Sequence, residues 1–175
     1  EELRKKGYQI DVYDRHDRSG GLLIYGIPNF KLEKEIVQRR MKYLEDSGIK
    51  FHLNINIGTD ISFQDLRKKH KAVLIATGVY KAKELSIKND FSNSVPALDY
   101  LVASNRKGLG DEVQSFDNGL LNAEGKNVIV IGGGDTAMDC VRTAVRQKAS
   151  SVKCLYRRDR ANMPGSAPEV LNAEE

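Results

Sequence analysis

The chain of 175 residues is long enough for one large hydrophobic core or for two small domains. Its 40% hydrophobic and 30% charged residues are ordinary for a globular protein, and its formal charge of +4 is spread over mixed clusters. This spread argues against a nucleic-acid partner. Because no apolar run approaches the roughly 20 residues that span a bilayer, the sequence also argues against a membrane protein. We therefore expect a soluble, cytoplasmic protein.

The cysteines and histidines give no sign of a metal centre. Cys140 and Cys154 form no CxxC pair, so we predict neither a disulfide framework nor a metal or iron–sulfur site. Both are expected to be small buried thiols. The three histidines lie in a loop, a strand and a helix end, without a predicted partner: His16, His52 and His70. We expect surface or structural roles for them.

The first half of the chain alternates between helix and strand patterns. EELRKKG fits a helix end in which Gly7 takes the left-handed cap position. YQIDVYD is a strand that ends at Asp14, and RHDRSGG after it is a loop. The other predicted elements are a helix over 32–48, a strand over 49–58, a helix over 60–70 capped by Ser62, and a strand over 71–78, apolar enough to be buried on both faces.

The second half repeats this alternation after a polar, turn-rich segment at 81–94, which we interpret as a connection between two domains, 1–90 and 91–175. The predicted elements are a helix over 95–108, an irregular stretch over 110–125, a buried strand over 127–131, a glycine turn over 132–137, a helix over 136–147 and a strand over 152–156. Helices alternating with strands predict an α/β protein built from Rossmann-like parallel-sheet units.

The stretch NVIVIGGGDTAMD places a glycine-rich turn between a strand and a helix, the context in which G-x-G-x-x-G/A predicts dinucleotide binding. Gly132 allows the tight turn, Gly134 removes a side chain that would block a pyrophosphate, and Ala137 lets the helix approach the sheet. The N–H groups of Asp135 and Thr136, at the helix N-terminus, would face the pyrophosphate. The alternative is a tight turn that binds nothing.

Arginines follow the next strand, where an NAD site usually presents an acid to the ribose 2′-hydroxyl. A carboxylate would repel a 2′-phosphate, whereas a guanidinium offers forked donors that match it. Arg157 and Arg158 therefore favour NADP, and the alternative is a solvated basic strand end. Arg160 is a weaker candidate because we expect it to pair with Asp159.

Three segments together resemble one family of flavoproteins. They are YDRHDRSGGLLIYGIPNFKL, KAVLIATGVYKAKEL, and the glycine-turn segment with the later YRRDRANMPGS. In combination they resemble the small (β) subunit of bacterial NADPH-dependent glutamate synthase, a flavoprotein of the glutathione-reductase-like group. The resemblance extends over essentially the whole chain. The flavin half of dihydropyrimidine dehydrogenase and subunits of electron-bifurcating ferredoxin–NADP oxidoreductases are close relatives of that family.

The resemblance implies two cofactors, FAD and NADP. Asp14 would hold the FAD ribose at the end of its strand. The loop Gly20-Gly21-Leu22-Leu23 would run along the flavin nucleotide, and Ala76-Thr77-Gly78 would match the ATG motif that closes the first FAD segment. The NADPH site would consist of the glycine turn and the two arginines. No catalytic acid or base is implied, because the cofactors carry the chemistry.

The resemblance also implies an internal fragment, with a truncated FAD-binding domain followed by part of an NADPH-binding domain. The family's FAD fingerprint and iron–sulfur cysteines would lie upstream, and a closing FAD segment downstream. In the intact family member, electrons pass from NADPH to FAD and through iron–sulfur centres to a large partner subunit or domain. There 2-oxoglutarate and glutamine-derived ammonia become glutamate. We expect the fragment alone to be inactive and to self-associate through uncovered apolar surface.

Two alternatives stay open on the sequence. One is a related NADPH-dependent flavin and iron–sulfur reductase, similar to dihydropyrimidine dehydrogenase or ferredoxin–NADP oxidoreductase. The other is a noncatalytic nucleotide-binding module.

Overall fold

The computed structural model describes residues 1–80 and 93–174, which form two compact units. The first unit comprises Glu1–Ile24 and Leu32–Tyr80, and the second comprises Tyr25–Lys31 and Lys81–Glu175. Most of the connection predicted at 81–94 lies outside the described residues. In this division, the segment Tyr25–Lys31 belongs to the second unit, although the residues on both sides of it belong to the first.

The first unit is built around two short parallel strands. Its elements are α1 (Glu2–Lys5), β1 (Asp11–Tyr13), α2 (Leu22–Tyr25, whose last residue falls in the second unit), α3 (Lys34–Asp46), β2 (Lys50–His52) and α4 (Phe63–Lys69). β1 and β2 pair in parallel, with Val12 opposite Phe51. As predicted, Gly7 adopts a positive φ of 88° after α1. Ser62 caps α4 by accepting the Asp65 N–H at 3.1 Å.

Two strand predictions in the first unit are wrong in extent or in kind. The strand predicted over 49–58 reduces to Lys50–His52, because Asn54 turns the chain with a φ of 55°. Residues 71–78 form no strand, and Leu74 is 84% exposed. Within the described residues β1 and β2 pair only with each other, so no backbone ladder holds this apolar run. The predicted loop at Gly20 to Leu23 also contains the start of α2.

The second unit repeats the strand–helix–strand arrangement. Its elements are α5 (Ala97–Gly108), α6 (Gln114–Asp117), β3 (Asn127–Ile131), α7 (Asp135–Arg146), β4 (Ser151–Leu155) and α8 (Ala167–Glu174). The stretch 110–125, predicted to be irregular, thus contains one short helix. β3 and β4 pair in parallel, with Val128 opposite Val152. The α/β class with parallel strands is confirmed.

The core of the second unit lies on one face of its sheet. Buried Leu101, Cys140 and Ala144 from α5 and α7 pack against partly buried Val128 and Val152. β3 was predicted to be buried, yet Ile129 is 61% exposed and Ile131 is 52% exposed. Among the described residues, helices cover only the valine face, so the isoleucine face is open. No helix among the described residues is long and apolar enough to cross a bilayer.

Candidate nucleotide-binding sites

The glycine turn of the second unit joins β3 to α7. At Gly132 the φ angle is 149°, in the region that favours glycine. Gly134 precedes the first residue of α7 in extended conformation. A Cβ added to Gly134 would meet only the Cγ of Pro164, at 4.0 Å. The space in front of Gly134 is therefore open enough for a phosphate to approach the backbone.

The first turn of α7 presents backbone donors toward this space. Within the described ranges, the N–H groups of Asp135 and Thr136 have no acceptor, whereas the Ala137 N–H bonds to Gly134 O at 2.9 Å. Unsatisfied N–H groups at a helix N-terminus attract anions. Ala137 itself is 8% exposed and packs against Met138 and Val170, so its role is packing.

A further glycine, Gly133, is buried under the ring of Tyr156. A Cβ on Gly133 would lie 2.7 Å from Cδ2 of Tyr156, closer than real Cβ contacts allow. The sequence interpretation gave a role to the first and third glycines of the turn and to Ala137, and missed this one. The GGG triplet was the available signal, but the partner became visible only when β4 was placed beside β3.

Residues 163–166, MPGS, lie across the turn. The Gly165 N–H donates to Gly133 O at 2.8 Å, and the Ser166 N–H donates to Oδ1 of Asp135 at 2.8 Å. The side chain of Asp135, predicted as part of the cofactor site, therefore binds the protein backbone.

The two arginines follow β4 at the same end of the sheet as the glycine turn. Arg157 and Arg158 are exposed, and neither has a hydrogen-bond or ion-pair partner within residues 1–80 and 93–174. Their neighbour differs, because Arg160 NH2 binds Oε2 of Glu174 at 2.7 Å. The predicted pairing of Arg160 with Asp159 is wrong, since Asp159 accepts the Asn162 N–H at 3.0 Å and caps a short 3₁₀ helix.

In the first unit, Asp14 directly follows β1, as the sequence predicted. Its Oδ1 accepts the His16 N–H at 3.0 Å and lies 2.9 Å from His16 Nδ1. Both contacts use one carboxylate oxygen, so Oδ2 can accept from a ligand. His16 was expected to have no partner, and this contact corrects that expectation.

The other predicted FAD residues lie in two separate segments. Gly20, with a φ of 117°, is close-packed, because an added Cβ would lie 2.9 Å from Cγ1 of Ile24. Gly21 also has a positive φ, of 54°, and Leu22 begins α2. Ala76, Thr77 and Gly78 are exposed, lie outside any helix or strand, and make no hydrogen bond to the described residues. Two residues further on, the ring of Tyr80 lies 4.6 Å from the guanidinium carbon of Arg15 and 5.8 Å from the ring of His16, so this segment ends beside the loop that follows Asp14.

The other two histidines also have partners, contrary to expectation. His52 Nε2 lies 2.6 Å from Oδ1 of Asp11, and the hydrogen bond lowers the pKa of the Asp11 carboxyl below its ordinary value. His70 Nε2 lies 3.1 Å from the hydroxyl of Tyr13, whose ring stacks on His52. These contacts cross between strands and a helix, which a local pattern does not reveal.

Sequence reasoning also missed a charged cluster in the second unit. Lys31 Nζ lies 2.9 Å from Oδ1 of Asp139 and 3.1 Å from Oε1 of Glu169, and Arg142 binds the other oxygen of Glu169 at 2.9 Å. Burial raises the pKa of Asp139. Burial disfavours the charged form of Lys31, yet its two hydrogen bonds raise the pKa of its ammonium group. The cluster joins Tyr25–Lys31 to α7 and α8.

The two cysteines differ in exposure. Cys140 is buried as expected, and burial raises the pKa of its thiol to about 12. Cys154 is exposed, contrary to expectation, although it pairs with Val130 on the valine face of the sheet. In the described part of the chain, no three His, Cys, Asp or Glu side chains are grouped to hold a metal ion.

Comparisons with known proteins define the class. Residues 2–174 match the family described as pyridine nucleotide-disulphide oxidoreductase, so the chain belongs to that family. It is 62% identical over 176 residues to the glutamate synthase (NADPH) small chain of Azospirillum brasilense, covering 100% of this chain and 36% of the relative. It is 45% identical to the protein of the same name from Escherichia coli, covering 99% and 37%. The resemblance to this small subunit is confirmed.

A solved structure supports the fold. Mycobacterium tuberculosis FprA in complex with NADPH matches with a TM-score of 0.73 at 20% identity, over 95% of this chain and 40% of that one. At this identity the likeness shows the fold alone. The chain spans little more than a third of the two curated relatives, so the activity of a whole protein is a matter for proposal.

Proposed function

We propose that the chain is the nucleotide-binding part of a flavin-dependent oxidoreductase that takes electrons from NADPH to FAD. One observation carries this function: open N–H groups at the start of α7, next to Gly134, lie at the same end of the sheet as two exposed arginines after β4. Together they offer donors for a pyrophosphate and for a 2′-phosphate. The family match and the names of the relatives support the same function.

In the second unit, the proposed ligand is NADPH, which supplies the hydride when bound. The N–H groups of Asp135 and Thr136 donate to its pyrophosphate, and the absence of a side chain at Gly134 leaves room for it. Arg157 and Arg158 donate to the 2′-phosphate. Because neither arginine is held by an acidic side chain in the described part of the chain, their donors do not have to be released before a ligand binds.

In the first unit, the proposed ligand is FAD. Asp14 accepts from the ribose hydroxyls through Oδ2, while His16 fixes the orientation of the carboxylate through Oδ1. The segments at Gly20 to Leu22 and at Ala76 to Gly78 contact the nucleotide more peripherally. We assign FAD to the domain 1–90 and NADPH to the domain 91–175.

For the whole protein, we propose that electrons pass to a large partner subunit or domain that makes glutamate from 2-oxoglutarate and glutamine. The support is the name shared by the two relatives, glutamate synthase (NADPH) small chain. Iron–sulfur clusters on that route would be bound by residues outside this chain.

The arginines provide the test in the full-length protein. Replacing both by Ala (Arg157→Ala with Arg158→Ala) should lower kcat/KM for NADPH and leave kcat/KM for NADH nearly unchanged, because NADH has no 2′-phosphate. Hydrogen bonds to charged groups contribute roughly 1.5–3 kcal/mol each, so the preference for NADPH should fall by about two orders of magnitude or more. The measurement is the ratio of kcat/KM for NADPH over that for NADH.

Arg160→Ala is the matched control. Arg160 carries the same charge two residues further on, but Glu174 already binds it. Its replacement should move the NADPH/NADH ratio by less than about threefold, as for a surface charge. If the double variant and the control move the ratio equally, the arginines contribute only general charge, and the proposed 2′-phosphate site is wrong.

A further inference from the structure

The segment that carries the two arginines is closed on the glycine turn at both ends. We call residues 156–166 the arginine loop. At its start, the ring of Tyr156 covers Gly133 so closely that a Cβ there would lie 2.7 Å from the ring. Near its end, the Gly165 N–H donates to the carbonyl oxygen of the same Gly133 at 2.8 Å. The position of the arginines is therefore linked to the turn.

The interior of the arginine loop is also braced. The Tyr156 hydroxyl donates to Asn162 O at 3.1 Å, and Asp159 accepts the Asn162 N–H at 3.0 Å. These bonds fix the shape of the loop but not its place relative to the turn. That placement depends on the contacts at its two ends.

Met163 packs against Ala137 and Met138 of α7, and Asp135 adds a side-chain hydrogen bond between the end of the loop and α7. Its Oδ1 accepts the Ser166 N–H at 2.8 Å, one residue before α8 begins. The carboxylate is exposed and has no cationic partner within the described ranges. An acid beside a pyrophosphate site repels the ligand, so a direct contact with the nucleotide does not explain this residue.

We propose that Asp135 is a positioning residue for 2′-phosphate recognition. It binds the end of the arginine loop, and so holds Arg157 and Arg158 where their donors converge on the phosphate. The inference rests on the proposed role of the arginines. Without the anchor, the loop samples more conformations in the free protein. Because binding of the 2′-phosphate must then order the loop, the free energy of binding becomes less favourable.

The experiment uses the full-length protein and two probes that differ in the 2′-phosphate, 2′,5′-ADP and 5′-AMP. Isothermal titration gives the ratio of their dissociation constants. Asp135→Ala removes the acceptor of the Ser166 N–H, and should reduce the preference for 2′,5′-ADP about tenfold. Asp135→Asn keeps an oxygen that can accept the same N–H and should retain the preference. Loss of the negative charge should strengthen the binding of both probes by the same factor, so the ratio of their dissociation constants should not change.

A second variant opens the loop without touching Asp135. An added Cβ at Gly165 would lie 3.0 Å from Gly133 O, so Gly165→Ala should push the loop away from the turn and reduce the same ratio. A general destabilisation of the fold would weaken the binding of both probes and leave the ratio of their dissociation constants unchanged.

The outcomes separate this inference from the proposed function. A wild-type protein that prefers 2′,5′-ADP, with Asp135→Ala and Gly165→Ala showing the same preference, would overturn the positioning role alone. Equal losses in Asp135→Ala and Asp135→Asn would also overturn it, because the charge would then matter and the backbone anchor would not. A wild-type protein without any preference would overturn the 2′-phosphate site, and the positioning role with it.

Discussion

Two adjacent glycines in the turn have different physical reasons to be glycine. Gly133 has no room for a Cβ because the Tyr156 ring occupies that space. Gly134 has room for a Cβ in the protein itself, with Pro164 as the nearest neighbour at 4.0 Å. The first glycine is therefore required by packing, and the second, on the proposed function, by the ligand.

This difference gives a prediction at the residue scale. Gly133→Ala should destabilise the fold by about 1–3 kcal/mol, because overpacking forces the ring or the turn to move. Gly134→Ala should leave the free energy of unfolding within about 0.5 kcal/mol of wild type. It should nevertheless reduce the affinity for both NADPH and NADH by at least about tenfold. Denaturant unfolding and nucleotide titration of the same two variants measure these effects.

Each variant serves as the control for the other. If Gly134→Ala loses as much stability as Gly133→Ala, the space in front of the turn is not open. If Gly134→Ala binds both nucleotides normally, the pyrophosphate does not lie there.

At the element scale, the charged cluster joins three separate segments of the second unit. Lys31 ends the segment that starts at Tyr25, and Asp139 and Glu169 lie on α7 and α8. Asn105 on α5 holds the same segment by donating to Tyr25 O at 2.8 Å. Because Asp139 is only 7% exposed, its charge depends on the lysine for compensation.

We therefore expect Lys31→Met to reduce the free energy of unfolding by about 3 kcal/mol, since it leaves a buried carboxylate without its nearest cation. Lys42→Met is the matched control. Lys42 pairs with Asp46 at 2.6 Å, but both side chains are more than half exposed, so its loss should cost less than about 0.5 kcal/mol. Chemical denaturation of the two variants measures the difference, and equal losses would contradict the structural role of the cluster.

Sequence patterns predicted those elements whose signals are local. α3, α5 and α7 have apolar residues at helical spacing, and the strand–glycine–helix order around Gly132 is continuous in sequence. The prediction of a strand over 71–78 was wrong, because an apolar run forms a strand only where another strand pairs with it. Sequence patterns also did not reveal the partner of Gly133, the anchor role of Asp135 or the salt bridge of Arg160. Each of these depends on residues that folding brings together.

At the scale of the whole chain, apolar surface remains uncovered in both units. Leu74 and Val79 are 84% and 82% exposed in the first unit, and Ile129 is 61% exposed on the open face of the second. Exposed apolar patches of this kind favour association.

We expect the 175-residue chain, expressed by itself, to form larger species as its concentration rises. Replacing Leu74 and Val79 by Lys should shift the weight-average mass toward that of the monomer, because charge opposes burial of the segment. Leu120→Lys is the control, since Leu120 is 64% exposed but lies away from this segment in sequence. Light scattering after size-exclusion chromatography measures the mass, and a wild-type monomer at all concentrations would contradict the expectation.

The closure of the arginine loop has a consequence for its motion. The amides of Gly165 and Ser166 are bonded only to acceptors on the glycine turn, at Gly133 and Asp135. Deuterium can replace their hydrogens only when the loop leaves the turn, so their exchange rates report how often it opens. Two backbone hydrogens thus report the opening of this loop in the protein itself, without an attached probe or a bound nucleotide.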